Sequence, residues 1–167
     1  MKFSEFFKSK DTIQLDKKTL VILRWMAIVG QYATIGIVYF IFNFDFPFYF
    51  CSVAVLIGAT TNIFLQFYIK ENQLNNFSST FFLFYDLLQL SILLYLTGGI
   101  TNPFTILLII PAIVSSTFLT LRSTINLSFI TIVILIVLTL YHEPLPHSED
   151  FKFYVPNYYL HAIPIAI

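Results

Sequence analysis

Charge is scarce in this chain. Of its 167 residues only 11% are Asp, Glu, Lys or Arg, against about a quarter in an average soluble domain. Cysteine is nearly absent: Cys51 stands alone, which excludes an intramolecular disulfide and a thiolate metal cluster. There are three histidines, His142, His147 and His161. None lies in the middle of an apolar run, so a membrane oxidoreductase with buried haem or metal ligands is not indicated. Formal net charge is zero, and without a basic field nothing points to nucleic acid. Internal repeats and paired interrupted helices, the usual marks of a transporter, are missing as well.

What the chain has in abundance is apolar surface. Hydrophobic residues make up 57%, with 20 Phe and 10 Tyr. One soluble core of this size could not hide so much of it, whereas a bilayer acts as its solvent. Five long apolar runs follow one another at about 19–42, 48–69, 79–97, 103–121 and 124–141. Each spans roughly 27–36 Å as a helix, against a hydrocarbon core of ~30 Å. They are far too long for barrel strands, and only helices satisfy their own backbone at that depth. The fold expected is all-α, a polytopic transmembrane bundle. A sixth run begins at Asn157, and the sequence stops inside it, so the chain reads as a piece of something longer. The first run is too long, and its flank Asn43–Pro47 too unlike a cleavage site, for a secretory signal.

The few charges are unevenly placed. Lys2, Lys8, Lys10, Lys17, Lys18, Arg24, Lys70 and Arg122 all fall on one side of the membrane, and only Lys152 on the other. The positive-inside rule then puts residues 1–18 in the cytoplasm, ahead of a membrane domain over 19–167.

One connection carries more information than the rest. Between the third and fourth runs lies Gly98-Gly99-Ile100-Thr101-Asn102-Pro103-Phe104. Asn102 suits a helix N-cap and Pro103 the first helical position. The glycines let the chain leave helix three through a conformation closed to other residues. A tight helical hairpin satisfies all of this. The same parts also suit a ligand. Bare glycine backbone and the positive start of helix four offer donors, and Tyr95 and Phe104 offer apolar faces. A flat ring with carbonyl oxygens, such as a quinone, fits that description.

The heptapeptide GGITNPF resembles the GGxxNPF signature of the RegB/PrrB family of redox-sensing histidine kinases, found between the third and fourth membrane helices. Leu23-Arg24-Trp25 with Gly30-Gln31, Asp86-Leu87 with Gln89-Leu90, Leu93–Thr97, the turn Leu121–Thr124 and Leu160-His161 are similar to that family too. The resemblance covers about residues 20–167. It implies a bacterial inner-membrane redox sensor that binds ubiquinone, with Gly98, Gly99, Asn102, Pro103, Phe104 and Tyr95 at the site. It also implies a homodimer and a cytoplasmic response regulator as partner. Family members continue into a linker with a redox-active cysteine, a phosphoacceptor helix and an ATP-binding domain. None of these is present, and Cys51 cannot replace the linker cysteine, so this chain is expected to have no kinase activity by itself. The alternative is a structural or transport subunit whose hairpin only packs helices.

Two ionisable residues lie inside the runs. Arg24 and Asp86 fall at similar depth, about 7–10 Å in by helical rise, where charges are costly and usually paired. An interhelical Arg24–Asp86 pair between helices one and three is therefore expected, with snorkelling of Arg24 as the alternative. Gln31 shares Arg24's face, and Gln89 and Thr97 continue a polar stripe from Asp86 to the glycines. Asn62 and Gln66, four apart, should bond between helices. Pro111 should kink helix four. His142, Glu143 and His147 lack metal-ligand spacing, and no metal is expected.

Overall fold

A computed structural model describes residues 15–146. The N-terminal segment before Leu15 and everything from His147 on, including the run expected to start at Asn157, lie outside the described residues. Five helices occupy the described chain: α1 (Lys17–Phe40), α2 (Phe48–Tyr68), α3 (Asn76–Leu96), α4 (Ile110–Phe118) and α5 (Leu121–Leu140). A 3-10 turn, Gly99–Thr101, follows α3, and a 3-10 helix, Pro103–Ile109, leads into α4. Four of the helices, α1, α2, α3 and α5, are long and apolar enough to cross a membrane. Many large apolar side chains on their outer faces are exposed, such as Phe50, Phe77, Phe129 and Leu140, as expected of surfaces that meet lipid. The protein is a multi-pass membrane protein.

The stretch Pro103–Phe118 is shorter than expected and ends at Phe118 rather than near residue 121. Its winding makes it longer than an α-helix of the same residues. Seven residues in 3-10 form at ~2.0 Å rise and nine in α form at ~1.5 Å give about 28 Å. Pro111 explains the switch. In a continuous α-helix its ring would clash with the Leu107 carbonyl. Here that carbonyl accepts from the Ile110 N–H in a tighter turn, and Pro111 falls in the first turn of α4. The expected kink is thus expressed as a change of helix type.

Helices α3 and α5 begin about three residues before their apolar runs, and a polar side chain caps the start of α3. The Asn75 Oδ1 accepts from the Ser78 N–H at 2.7 Å. Asn76 then ties α3 to the α4–α5 turn: its Oδ1 accepts from the Thr120 N–H (2.9 Å) and its Nδ2 donates to Ser123 Oγ (2.8 Å). The Lys17 Nζ donates to the Ile69 carbonyl at the end of α2 (2.7 Å), a favourable place for a cation. All five described Lys and Arg residues lie toward this one end of the bundle, hereafter the basic end.

Helix α2 buries Cys51, Val55, Gly58, Asn62 and Leu65. That alternating four-three spacing is the seam of a left-handed helix pair, and α1 packs along it. Helix α3 stands at the centre, in contact with α2, α4 and α5. Leu87, Leu94, Leu108 and Leu138 form the core between α3, the 3-10 helix and α5.

Candidate functional site

The hairpin after α3 is built almost wholly by its own residues. Gly98 (φ 112°) and Gly99 (φ 54°) both adopt left-handed backbone, the region glycine enters without a Cβ clash. Asn102 is extended (φ −73°, ψ 125°), as the following proline requires. Its side chain makes three bonds. The Oδ1 accepts from the Phe104 N–H at 2.9 Å, capping the next helix, while Nδ2 donates to the Thr97 carbonyl (2.9 Å) and Thr97 Oγ1 (2.8 Å). It thereby clamps the end of α3 to the start of the 3-10 helix.

Two threonines brace the loop from within. The Thr101 hydroxyl donates to the Gly98 carbonyl (2.6 Å), and the buried Thr105 hydroxyl reaches the carbonyls of Gly99 (2.8 Å) and Asn102 (2.7 Å). Neither threonine has a role among the expectations above. The signal was there, since Thr97, Thr101 and Thr105 recur every four residues.

The six residues expected at a ring site separate into two groups. Gly98 and Gly99 are buried and Asn102 is half-buried. Pro103, Phe104 and Tyr95 are exposed, the two aromatic rings at 45% and 40%. The glycine faces are not open. The segment after α5 lies across them as a strap. A methyl on Gly98 would sit 2.5 Å from Leu145 Cδ1, and one on Gly99 would collide with the His142 side chain and the Leu138 carbonyl. The strap is fastened by the Glu143 N–H, which donates to the Tyr95 carbonyl at 2.9 Å. Below it, a groove of about 200 Å³ runs between Ser91, Ile92 and Tyr95 of α3 and Val133, Val137 and Leu138 of α5. Its walls are apolar apart from the Tyr95 phenol and the Ser91 hydroxyl, which donates to the Leu88 carbonyl (2.7 Å).

On the other side of α3, Arg24 Nε lies 2.9 Å from Asp86 Oδ1, and Arg24 Nη2 donates to Thr61 Oγ1 at 2.8 Å. The guanidinium carbon sits 5.3 Å from the Phe82 ring centre and 5.7 Å from that of Tyr85. Those rings offer Nη1, which has no hydrogen-bond partner, an electrostatic substitute. Two turns further along α1, Gln89 Nε2 donates to Gln31 Oε1 at 3.0 Å. Asn62 donates to the Val21 carbonyl (3.2 Å), and Gln66 accepts from Trp25 Nε1 (3.3 Å). Among the described residues no three His, Cys, Asp or Glu side chains cluster as metal ligands.

The chain as a whole is similar in sequence to known proteins. Residues 41–167 match the family model of the PilS-like transmembrane domain. The chain is 35% identical over 151 residues to the sensor histidine kinase RegB of Cereibacter sphaeroides, covering 90% of this chain and 33% of that protein. A second RegB of that species is 36% identical over 75 residues, 44% of this chain and 16% of the relative. The chain thus spans about a third of the first relative's length. No solved structure matches it. With its helical bundle, its GGITNPF hairpin and these relatives, the chain belongs to the PilS-like transmembrane domain family, as a membrane sensor domain of the RegB family.

Proposed function

We propose that this chain is the redox-sensing input domain of a two-component histidine kinase, and that it binds ubiquinone at the hairpin between α3 and α4. The observation that carries the reading is the uninterrupted GGITNPF heptapeptide, folded as a hairpin with Tyr95, Pro103 and Phe104 at its surface. A prenylated ring arriving from the lipid would meet these three residues first. Gly98, Gly99 and Asn102 shape the turn that presents them. Oxidised quinone offers only acceptors and the quinol adds two donors, so the backbone and phenol groups around the hairpin would hold the two forms differently. A difference in affinity between two arrangements is what a ligand needs to shift their populations. In this reading the oxidised ring suppresses a kinase core C-terminal to the membrane domain. The core acts in a homodimer and passes phosphate to a cytoplasmic response regulator. The basic end faces the cytoplasm of a bacterial cell, since the described lysines and arginines gather there.

The competing reading is a hairpin that only packs. It is favoured by a specific observation, the full use of the Asn102 carboxamide in closing the loop. The deciding experiment measures ubiquinone binding by the purified chain in nanodiscs, with Asn102→Ala and Phe104→Ala beside the parent. Phe104 is exposed, so its truncation should leave helicity and thermal stability unchanged. Saturable binding by the parent that Phe104→Ala weakens about tenfold or more would support a site at the hairpin, given what one buried aromatic contact is worth. No binding, or equal binding by all three, would return the packing reading to the lead.

A further inference from the structure

We infer that the strap His142–Leu145 and the quinone ring compete for one surface, the faces of Gly98 and Gly99, so that ligand binding withdraws the strap. The inference rests on the ligand reading above and adds the element through which occupancy is felt.

A ligand that uses bare glycine backbone must approach the side of each residue where a side chain would stand. That volume is filled. Leu145 Cδ1 and Cα lie 2.5 and 3.0 Å from the place of a Gly98 Cβ, and the His142 side chain takes the corresponding place at Gly99. The occupant is chain, not lipid or solvent. A backbone bond from the Glu143 N–H to the Tyr95 carbonyl holds it, and Tyr95 is itself among the ring-site residues. Pro144 and Pro146 limit the strap's freedom, since each fixes its own φ and donates no hydrogen bond. Two of its fastenings are thus the Glu143 bond and the Leu145 contact, which the contacts of a bound ring must outweigh. It joins the end of α5 (Leu140) to the chain that follows, so its position sets where that chain starts. Ring in and strap away, or strap on and ring absent, are two states of one surface. A ligand biases such a pair only through its differential affinity, and its apparent affinity falls by the fraction of molecules with the strap seated.

The test uses the full chain in nanodiscs with a short-tailed ubiquinone as probe. Leu145→Ala and Glu143→Pro loosen the two fastenings without touching the exposed ring-site residues. Both should bind the probe more tightly, by about three- to tenfold if the strap is seated in most molecules. In a separate variant, Pro146→Cys, which replaces a buried residue and keeps both fastenings, a membrane-impermeant maleimide reports whether the strap is seated. Cys51 is fully buried, so the parent serves as the unlabelled control. Adding ubiquinone should speed labelling of Pro146→Cys several-fold. Probe binding by the parent with unchanged labelling, and with unchanged affinity in both loosened variants, overturns the competition and leaves the ligand reading standing. No probe binding by the parent overturns both.

Discussion

Helix α3 meets its neighbours through two different chemistries. Toward α1 and α2 the seam is polar at depth: Arg24 with Asp86 and Thr61, then Gln31 with Gln89. Toward α4 and α5 it is a leucine core with an apolar groove, and polar bonding is confined to its ends. At the basic end Asn76 bonds Ser123 and Thr120, and at the other end stands the GGITNPF hairpin. In lipid, apolar contacts add little preference for one partner helix over another, whereas a buried polar bond has few substitutes. The difference suggests a division of labour. The α1–α2–α3 side is keyed in one register by directional bonds. The α3–α4–α5 side is held by shape along its length, and that is the side on which the hairpin and strap lie.

The comparison can be broken most severely at the charge pair. Asp86→Leu leaves the Arg24 guanidinium, 3% exposed, without its counter-ion. Removing one partner of a buried pair costs about 3–5 kcal/mol. The double variant Arg24→Leu/Asp86→Leu should be less destabilised than either single, because no uncompensated charge remains. Unfolding by SDS titration in mixed micelles, followed by helical circular dichroism, measures all three. If the double variant costs the sum of the singles, the two groups act independently and the polar side is not keyed by their pairing.

A smaller loss is expected at the hairpin. Gly98→Ala places a Cβ on backbone at φ 112° and against Leu145. Left-handed backbone alone costs a non-glycine residue about 1–3 kcal/mol. Gly36→Ala is the control: it lies within α1 with nothing within 4 Å of the added methyl. It should be neutral or stabilising by up to ~1 kcal/mol. The same unfolding assay compares them, and equal effects would mean that the hairpin backbone is not constrained.

Legibility followed the range of the forces involved. The helices, their order and their approximate limits were legible because length and hydropathy are local and the bilayer thickness is fixed. That Arg24 and Asp86 stand at one level was legible from depth along two runs, since α1 and α3 cross in the same direction. The turn chemistry of Asn102-Pro103 was legible from two adjacent residues. What could not be read were contacts between distant parts of the chain. Nothing near Gly98 announces that Leu145 will cover it, and nothing near Thr105 announces that its hydroxyl will turn back to Gly99. The 3-10 winding of Pro103–Ile109 lay between these cases: Pro111 warned of a disturbance, but a kink and a change of winding are both open to a proline in a membrane helix.

The finest test of the comparison lies at Gly58, where the polar side depends on a missing side chain. Gly58 is in the α2 seam, and a methyl there would collide with the Gln89 carboxamide, the group that reaches across to Gln31. The glycine is therefore needed for space rather than for backbone freedom, since it sits inside a regular helix. Gly58→Ala should displace Gln89 and lose the Gln31 bond, a cost of about 0.6–2 kcal/mol for an interhelical hydrogen bond in a membrane protein. Part of that is offset by the better helix propensity of alanine. The argument fixes a sign in a second background. With Gln89→Ala already in place nothing remains to be displaced, so adding Gly58→Ala should become neutral or stabilising. A destabilisation that persists undiminished without Gln89 would mean that α1 and α2 are kept in contact by close backbone approach at Gly58. The Gln31–Gln89 bond would then be a passenger of that packing rather than one of its keys.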